Sequence, residues 1–278
     1  MAEASTGGTR WGDLELHVDD EGTGDPVVLL HSSGMSGDQW KRTRDALLAT
    51  GARVVVPDLI GSGRSAPLPE GAPFHFTDDV AAVTRLLSRL GAPAHVVGHS
   101  YGGLIALHAA LRMATGPARV RSLAVYDPVA FGVLEPSRDA DALADLARVS
   151  FAWGASPSEH EAWLRSFVDY WSGEGAWGRL REGMRAEFVR VGWVAHEGAR
   201  TLVTDATRGD AYRALDVPVL LMSGDDSPVA ARRVVTRLGE SFPRARVAHV
   251  AGAGHMGPLT HPKPVNALIA AHLEAASR

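Results

Sequence analysis

Residues 94–113 read AHVVGHSYGGLIALHAALRM, and the fold follows from how this stretch is parsed. A short β-branched run, His95 to Val97, gives way at Gly98-His99-Ser100-Tyr101-Gly102 to a second apolar run through Leu104, Ile105, Leu107, Leu111 and Met113. The first run has the composition of a strand. The second is too continuously apolar for a surface helix and predicts a helix buried beside a sheet. A G-x-S-x-G string between strand and helix describes a sharp turn that strains the serine backbone and lifts its hydroxyl clear of the sheet. Gly98, Gly102 and Gly103 leave room for close backbone approach. Ser100 is therefore the candidate nucleophile. The string alone recurs by chance, and the strand and helix that flank it give it meaning.

Working outward, the same alternation repeats. Val27 to His31, Arg53 to Val56, Ser122 to Tyr126, Val217 to Met222 and Arg246 to Val250 are further candidate strands separated by longer helical segments. Such a rhythm predicts an α/β fold with a mostly parallel central sheet covered by helices. Ahead of it, Gly12 to Val18 alternates Leu14, Leu16 and Val18 with polar residues, as an exposed antiparallel edge strand would. Thr77 with Asp78 and Asp79 predicts an N-cap and a negative first turn for a helix from Asp78 to Leu90, closed by Gly91. Between Asp127 and Val217 the strand rhythm stops. Ser158 and Glu161 there suit a capping box ahead of Trp163, Phe167 and Tyr170. The expected organisation is a core domain from residues 1–127 and 216–278, with residues 128–215 inserted as a helical cap. Trp153, Trp163, Trp171 and Trp177 fall in that insertion and are candidate walls of a substrate pocket. A small helical subdomain would equally need large side chains for its own core.

Composition narrows the chemistry. The 278 residues suffice for one large domain with an insertion. A formal net charge of -4 gives no reason to expect a nucleic-acid or anionic-membrane partner, so a small-molecule substrate is expected. The chain has no cysteine, which excludes disulfides, thiolate-metal sites and a cysteine nucleophile. The opening MAEASTGGTR lacks the apolar run of a secretory signal and no later stretch approaches a membrane span, so a cytoplasmic protein is the expectation. Oligomeric state has no signature in the sequence.

Two more loops complete a catalytic pattern. His31-Ser32-Ser33-Gly34 follows the apolar Leu29-Leu30, where backbone amides can face a reacting carbonyl, although an ordinary serine-rich turn would read the same way. Ser33 and Tyr101, the residue after the nucleophile, are the candidate oxyanion-hole donors. Gly252-Ala253-Gly254-His255-Met256 follows the last strand, where a loop can return an imidazole over the sheet's carboxyl edge, and His255 is the candidate general base. His31 and His99 lie inside motifs but read as packing and loop-tethering residues.

With these motifs the chain resembles the α/β-hydrolase fold family over nearly its whole length. Asp58-Leu59-Ile60-Gly61-Ser62-Gly63-Arg64-Ser65 looks like that family's loop after an early strand. The resemblance implies acyl transfer through an ester on Ser100, with His255 taking and returning the proton and with no metal or organic cofactor. Two positions depart from the family pattern. Ser32 stands where glycine commonly follows the loop histidine. After Leu220-Leu221-Met222-Ser223-Gly224 the usual aspartate position holds Ser227, leaving Asp226 one residue early. Some members of the family carry the acid after the preceding strand, which here is Asp127. Asp127 is the favoured triad acid and Asp226 the alternative. The first also reads as a turn residue before Pro128, the second as a solvated loop residue.

The resulting expectation is a serine hydrolase acting on an ester, lactone or thioester of a small to medium hydrophobic substrate. Carbon–carbon bond hydrolysis, perhydrolysis or a lyase reaction on the same scaffold is the enzymatic alternative. A ligand-binding protein with an idle triad is the alternative of another class.

Overall fold

The computed structural model describes residues 9–10, 16–114, 120–150 and 152–278. Its strands are β1 (Thr9–Arg10), β2 (His17–Glu21), β3 (Pro26–Leu30), β4 (Arg53–Asp58), β5 (Ala94–His99), β6 (Val120–Tyr126), β7 (Val219–Gly224) and β8 (Ala245–Val250). They form one sheet in the order β1-β2-β4-β3-β5-β6-β7-β8. β1, β2 and β4 pair antiparallel, and every pair from β4 through β8 is parallel.

Alternation along the buried strands feeds two cores. Val28, Leu30, Val55, Val96, Leu123 and Leu221 face one side. There they meet helices α2 (Phe76–Arg89), α3 (Tyr101–Met113) and α9 (Val229–Ser241). Val27, Leu29, Val54, Val97, Leu220 and Met222 face the other side, against α1 (Lys41–Leu48) and α11 (Pro262–Ser277). A sheet covered on both faces needs apolar residues at consecutive positions, which is why its central strands read as continuous β-branched runs. The chain leaves β3 towards β4 on one side and towards β5 on the other. This reversal opens a crevice at the carboxyl ends of β3 and β5, where α/β sheets bind ligands.

Between β6 and β7 lie α4 (Ala140–Leu146), α5 (Pro157–Ser172), α6 (Ala176–Arg179), α7 (Glu182–Arg190) and α8 (Gly192–Leu202). Trp163, Leu164, Val168, Trp177 and Phe188 form a separate apolar cluster there. The insertion meets the sheet loops closely. A Cβ at Gly34, whose φ is +73°, would stand 2.3 Å from the Phe188 ring. The short α10 (Gly257–Thr260) connects the loop after β8 to α11.

Three boundaries differ from the sequence reading. Of the expected strand Gly12–Val18, residues 12–15, Leu14 among them, lie outside the described residues, and the strand found beyond them, β2, begins at His17 and runs on to Glu21. It is not an edge, because β1 pairs along its outer side and Asp20 holds Arg53 of β4 at 2.7 Å. The cap of α2 is His75, not Thr77: the His75 ring accepts from Thr77 N–H, and the Asp78 carboxylate accepts from His75 N–H at 2.9 Å. The capping box of α5 is Ser156 with Glu159, not Ser158 with Glu161. Pro157 fixes this, since its locked φ and missing N–H suit the first helical position.

Candidate active site

Ser100 is held at φ 54°, ψ −117°, between β5 and α3, with its N–H donating to Tyr126 O at 2.9 Å. The glycines around it are demanded by contact. A Cβ at Gly98 would stand 2.4 Å from Gly102 O, and one at Gly102 2.3 Å from Leu30 O. The helix can therefore start directly against β3, and Ser100 Oγ is left at the sheet's carboxyl edge.

His255 comes from the loop after β8, and its Nε2 lies 2.9 Å from Ser100 Oγ. Asp127, directly after β6, places Oδ2 3.1 Å from His255 Nδ1. An ionised carboxylate only accepts, so Nδ1–H donates to Asp127 and Nε2 is free to accept the Ser100 hydroxyl proton. All three side chains are buried, Asp127 completely. Ser100 and Asp127, at φ 54° and 43°, are the two non-glycine residues with positive φ among the described residues. Backbone strain of this kind persists where surrounding structure enforces it, and both instances fall in the same constellation.

Asp226 takes no part in this chain. Its carboxylate is exposed, and its backbone N–H is tied to Ala253 O at 2.9 Å. The loop turns so that the next side chain, Ser227, points inward, and Ser227 Oγ donates to Asp127 Oδ2 at 2.6 Å. Ser223 Oγ donates to Asp127 Oδ1, also at 2.6 Å. The sequence reading noticed Ser227 only as a missing aspartate. The signal that could have found its role was the pairing of a hydroxyl at that position with a new carboxylate after the neighbouring strand.

Two buried histidines fix the loops. His31 Nδ1–H donates to Ser32 O, and Leu59 N–H donates to His31 Nε2, each at 2.9 Å, which joins the loops after β3 and β4. His99 Nε2–H donates to His255 O at 2.8 Å, and Tyr126 O–H to Gly254 O at 2.8 Å. Burial pushes both His31 and His99 below the ordinary histidine value, so each serves as a neutral tether.

Ser33 and Tyr101 line the same cavity as Ser100. Tyr101 N–H is the first of α3 and has no intrahelical acceptor. Ser32, the departure from glycine, is tied to a buried side chain: its N–H and its hydroxyl both donate to Gln39 Oε1, at 3.0 and 2.8 Å. The Tyr101 ring is anchored by its O–H to Asp79 Oδ2 at 2.8 Å, while Ile60 N–H donates to Asp79 Oδ1 at 2.9 Å. Burial raises the Asp79 carboxyl to about 7, and these hydrogen bonds oppose the shift. Asp79 had been read only as part of a helix first turn.

The cavity beside Ser100 measures about 20 Å³ and is walled by Val129, Phe131, Leu146, Phe167, Trp171 and Leu202. Of the four tryptophans expected to line a pocket, Trp171 borders this cavity. Its ring centroid is 4.2 Å from that of His255, and its far side borders an open cleft of about 920 Å³ that also reaches His255. Trp163 and Trp177 are buried in the insertion's own core, donating to Ser150 O and the Glu161 carboxylate. Trp153 stacks on His160 at 4.3 Å and contacts Trp163 and Trp193. These three placements share one cause: short helices exclude water from one another with large side chains. Among the described residues no group of three or more His, Asp or Glu side chains could hold a metal ion, and no helix is long and apolar enough to cross a membrane.

The model of the alpha/beta hydrolase family matches residues 27–268. The chain belongs to this family. Among its relatives, an Azorhizobium caulinodans protein named for carbamate hydrolysis is 28% identical over 271 residues, covering 93% of this chain and 94% of that one. A non-heme chloroperoxidase of Kitasatospora aureofaciens is 25% identical, covering 87% and 89%. In the solved enol-lactonase from Burkholderia xenovorans the fold recurs with a TM-score of 0.71 at 21% identity, over 93% of this chain and 96% of that one. This alpha/beta hydrolase is thus a hydrolase by family, built on the mostly parallel sheet described above.

Proposed function

We propose that this chain is a serine hydrolase that cleaves an ester, lactone or thioester of a small to medium hydrophobic substrate through an acyl-enzyme on Ser100. The observation that carries this reading is the unbroken buried relay from Asp127 through His255 to Ser100 Oγ, opening on an apolar cavity. Ser100 Oγ attacks the carbonyl carbon while His255 Nε2 takes its proton. The amides of Ser33 and Tyr101 hold the oxyanion that forms. His255 then protonates the leaving oxygen or sulfur, and the acyl group stays on Ser100. A water molecule, deprotonated by His255, attacks the ester, and collapse of the second tetrahedral intermediate frees the acid and restores Ser100.

In this reading residues 128–215 act as a cap and the apolar walls hold the hydrophobic part of the substrate. α5 and α8, which supply Phe167, Trp171, Ala199 and Leu202, form one side of that cavity. Trp171, between the apolar cavity and the open cleft, separates the retained group from the departing one. The test is turnover of p-nitrophenyl esters from acetate to dodecanoate. The expected result is a preference for short to medium acyl chains that disappears in Ser100→Ala. Undiminished turnover by that variant would overturn the assignment.

A further inference from the structure

His255 is buried, and each half of an acyl transfer puts a positive charge on it. When Ser100 Oγ attacks, its proton moves to His255 Nε2 and the neutral ring becomes an imidazolium. The same ion forms again when His255 deprotonates the water that attacks the acyl-enzyme. A buried charge needs partners in place of water. In the plane of the ring these are Asp127 at Nδ1 and Ser100 Oγ at Nε2, 3.1 and 2.9 Å away. Hydrogen bonds leave the faces of the ring unused. Two rings approach His255 among the described residues: His99, with centroids 5.0 Å and planes 45° apart, and Trp171, at 4.2 Å and 32°. Burial holds His99 neutral, so it brings no competing charge. Trp171 meets the imidazole face toward face rather than edge on, and an indole face carries partial negative charge.

We propose that Trp171 is a positioning residue for the general base: its indole face stabilises the imidazolium of His255, so α5 of the insertion completes a relay otherwise held by the sheet's loops. The inference rests on the serine-hydrolase reading above and goes beyond the part given there to Trp171 as a wall. A cation within about 6 Å of a ring centroid is attracted by the ring's quadrupole, most strongly by indole and where water is excluded. The pose of the ring is braced from the insertion. Tyr170 packs edge-on against Trp171 at 4.8 Å and 84°, and Tyr170 O–H donates to Asp145 Oδ2 of α4 at 2.9 Å. Because the imidazolium forms in both half-reactions, weakening the indole face slows whichever of them limits turnover. Such a loss falls on kcat rather than on KM.

The test separates the charge of the ring from its shape, using one p-nitrophenyl ester and thermal unfolding of every protein. Wild type is prepared with mono-, di- and trifluorinated tryptophan, which withdraw charge from the ring face while nearly keeping its outline. Trp171→Phe carrying the same analogues corrects for the other tryptophans. Fluorination is expected to lower wild-type kcat stepwise, by roughly 3- to 10-fold in all with KM within about twofold, and to leave kcat of Trp171→Phe within about 1.5-fold. Trp171→Leu, which fills about the space of phenylalanine without a π face, should lose roughly 3- to 30-fold in kcat, and Trp171→Phe should lie between it and wild type. A side chain that only fills space responds neither to fluorine nor to the choice between phenylalanine and leucine. A flat fluorine series, or Trp171→Leu as fast as Trp171→Phe, would overturn the inference while an inactive Ser100→Ala kept the hydrolase reading intact. Full activity in Ser100→Ala would instead bring down the hydrolase reading itself.

Discussion

The loops at the carboxyl edge of the sheet and the helical insertion above them bury polar and aromatic side chains to opposite ends. In the loops, buried polar groups point at one another: Asp127, His255, Ser100, Ser223 and Ser227 form a closed set of hydrogen bonds with the acid fully shielded. In the insertion, the buried Trp163 and Trp177 lie in a separate apolar cluster and hold helices together, while Phe131, Phe167 and Trp171 wall the cavity and Trp171 lies half-buried beside His255. The difference teaches that in these loops burial pairs polar atoms around Asp127, whereas in the insertion it separates tryptophans that hold helices together from one that meets His255.

The widest gap between the two regions should appear in activity. Asp127→Asn is expected to reduce kcat/KM by about 10⁴, because an amide in its place no longer fixes the His255 tautomer. Asp226→Asn, exposed at the cleft, should stay within about twofold of wild type. Ester kinetics on the pair would break the comparison if Asp226→Asn were the slower enzyme.

The insertion should answer in stability instead. Trp163→Ala removes a buried core ring and is expected to cost about 3–5 kcal/mol, read by urea unfolding. Trp171→Ala should cost less. It should also shift the preferred acyl length or leaving group by about tenfold in kcat/KM, since it joins the cavity to the open cleft. Equal stability losses with an unchanged substrate profile would remove the distinction drawn between the two tryptophans.

The effect most spread out along its axis concerns pH and Asp79. Its carboxyl lies near 7 in the folded protein and at an ordinary acid value once unfolded. Between about pH 4 and 7 the folded state therefore holds more of this proton than the unfolded state, so the Asp79 contribution to stability falls as pH rises through that window. Asp79→Asn removes the term. Its stability relative to wild type should climb with pH by at most about 1.4 kcal/mol per unit and level off above 7. The depressed histidines His31 and His99 titrate alike in both proteins and cancel in the difference. Parallel stability curves from pH 5 to 8 would contradict the buried-acid account.

The fold was legible in the sequence because its central strands have no solvent face and because close backbone contact at Gly98 and Gly102 restricts those positions. The meeting of Ser100 with His255 was legible for the same reason, each lying in a glycine-bounded loop directly after a strand. The acid was legible only as a choice, since spacing along the chain does not reveal that the turn after Gly224 sends Asp226 outward and Ser227 inward. The roles of the tryptophans were not legible at all: α5 carries both Trp163 and Trp171, and only packing decides which of them meets His255. Asp79 was hidden likewise, because its partner Tyr101 lies on another helix.

The central claim is that Ser100 is an activated nucleophile. It is tested most directly by intact-mass analysis after brief exposure to a fluorophosphonate, followed by peptide mapping and with Ser100→Ala as control. The account predicts one rapid adduct per chain, located on Ser100 and absent from the variant. An unlabelled wild-type protein, or an adduct that persists in Ser100→Ala, would contradict it.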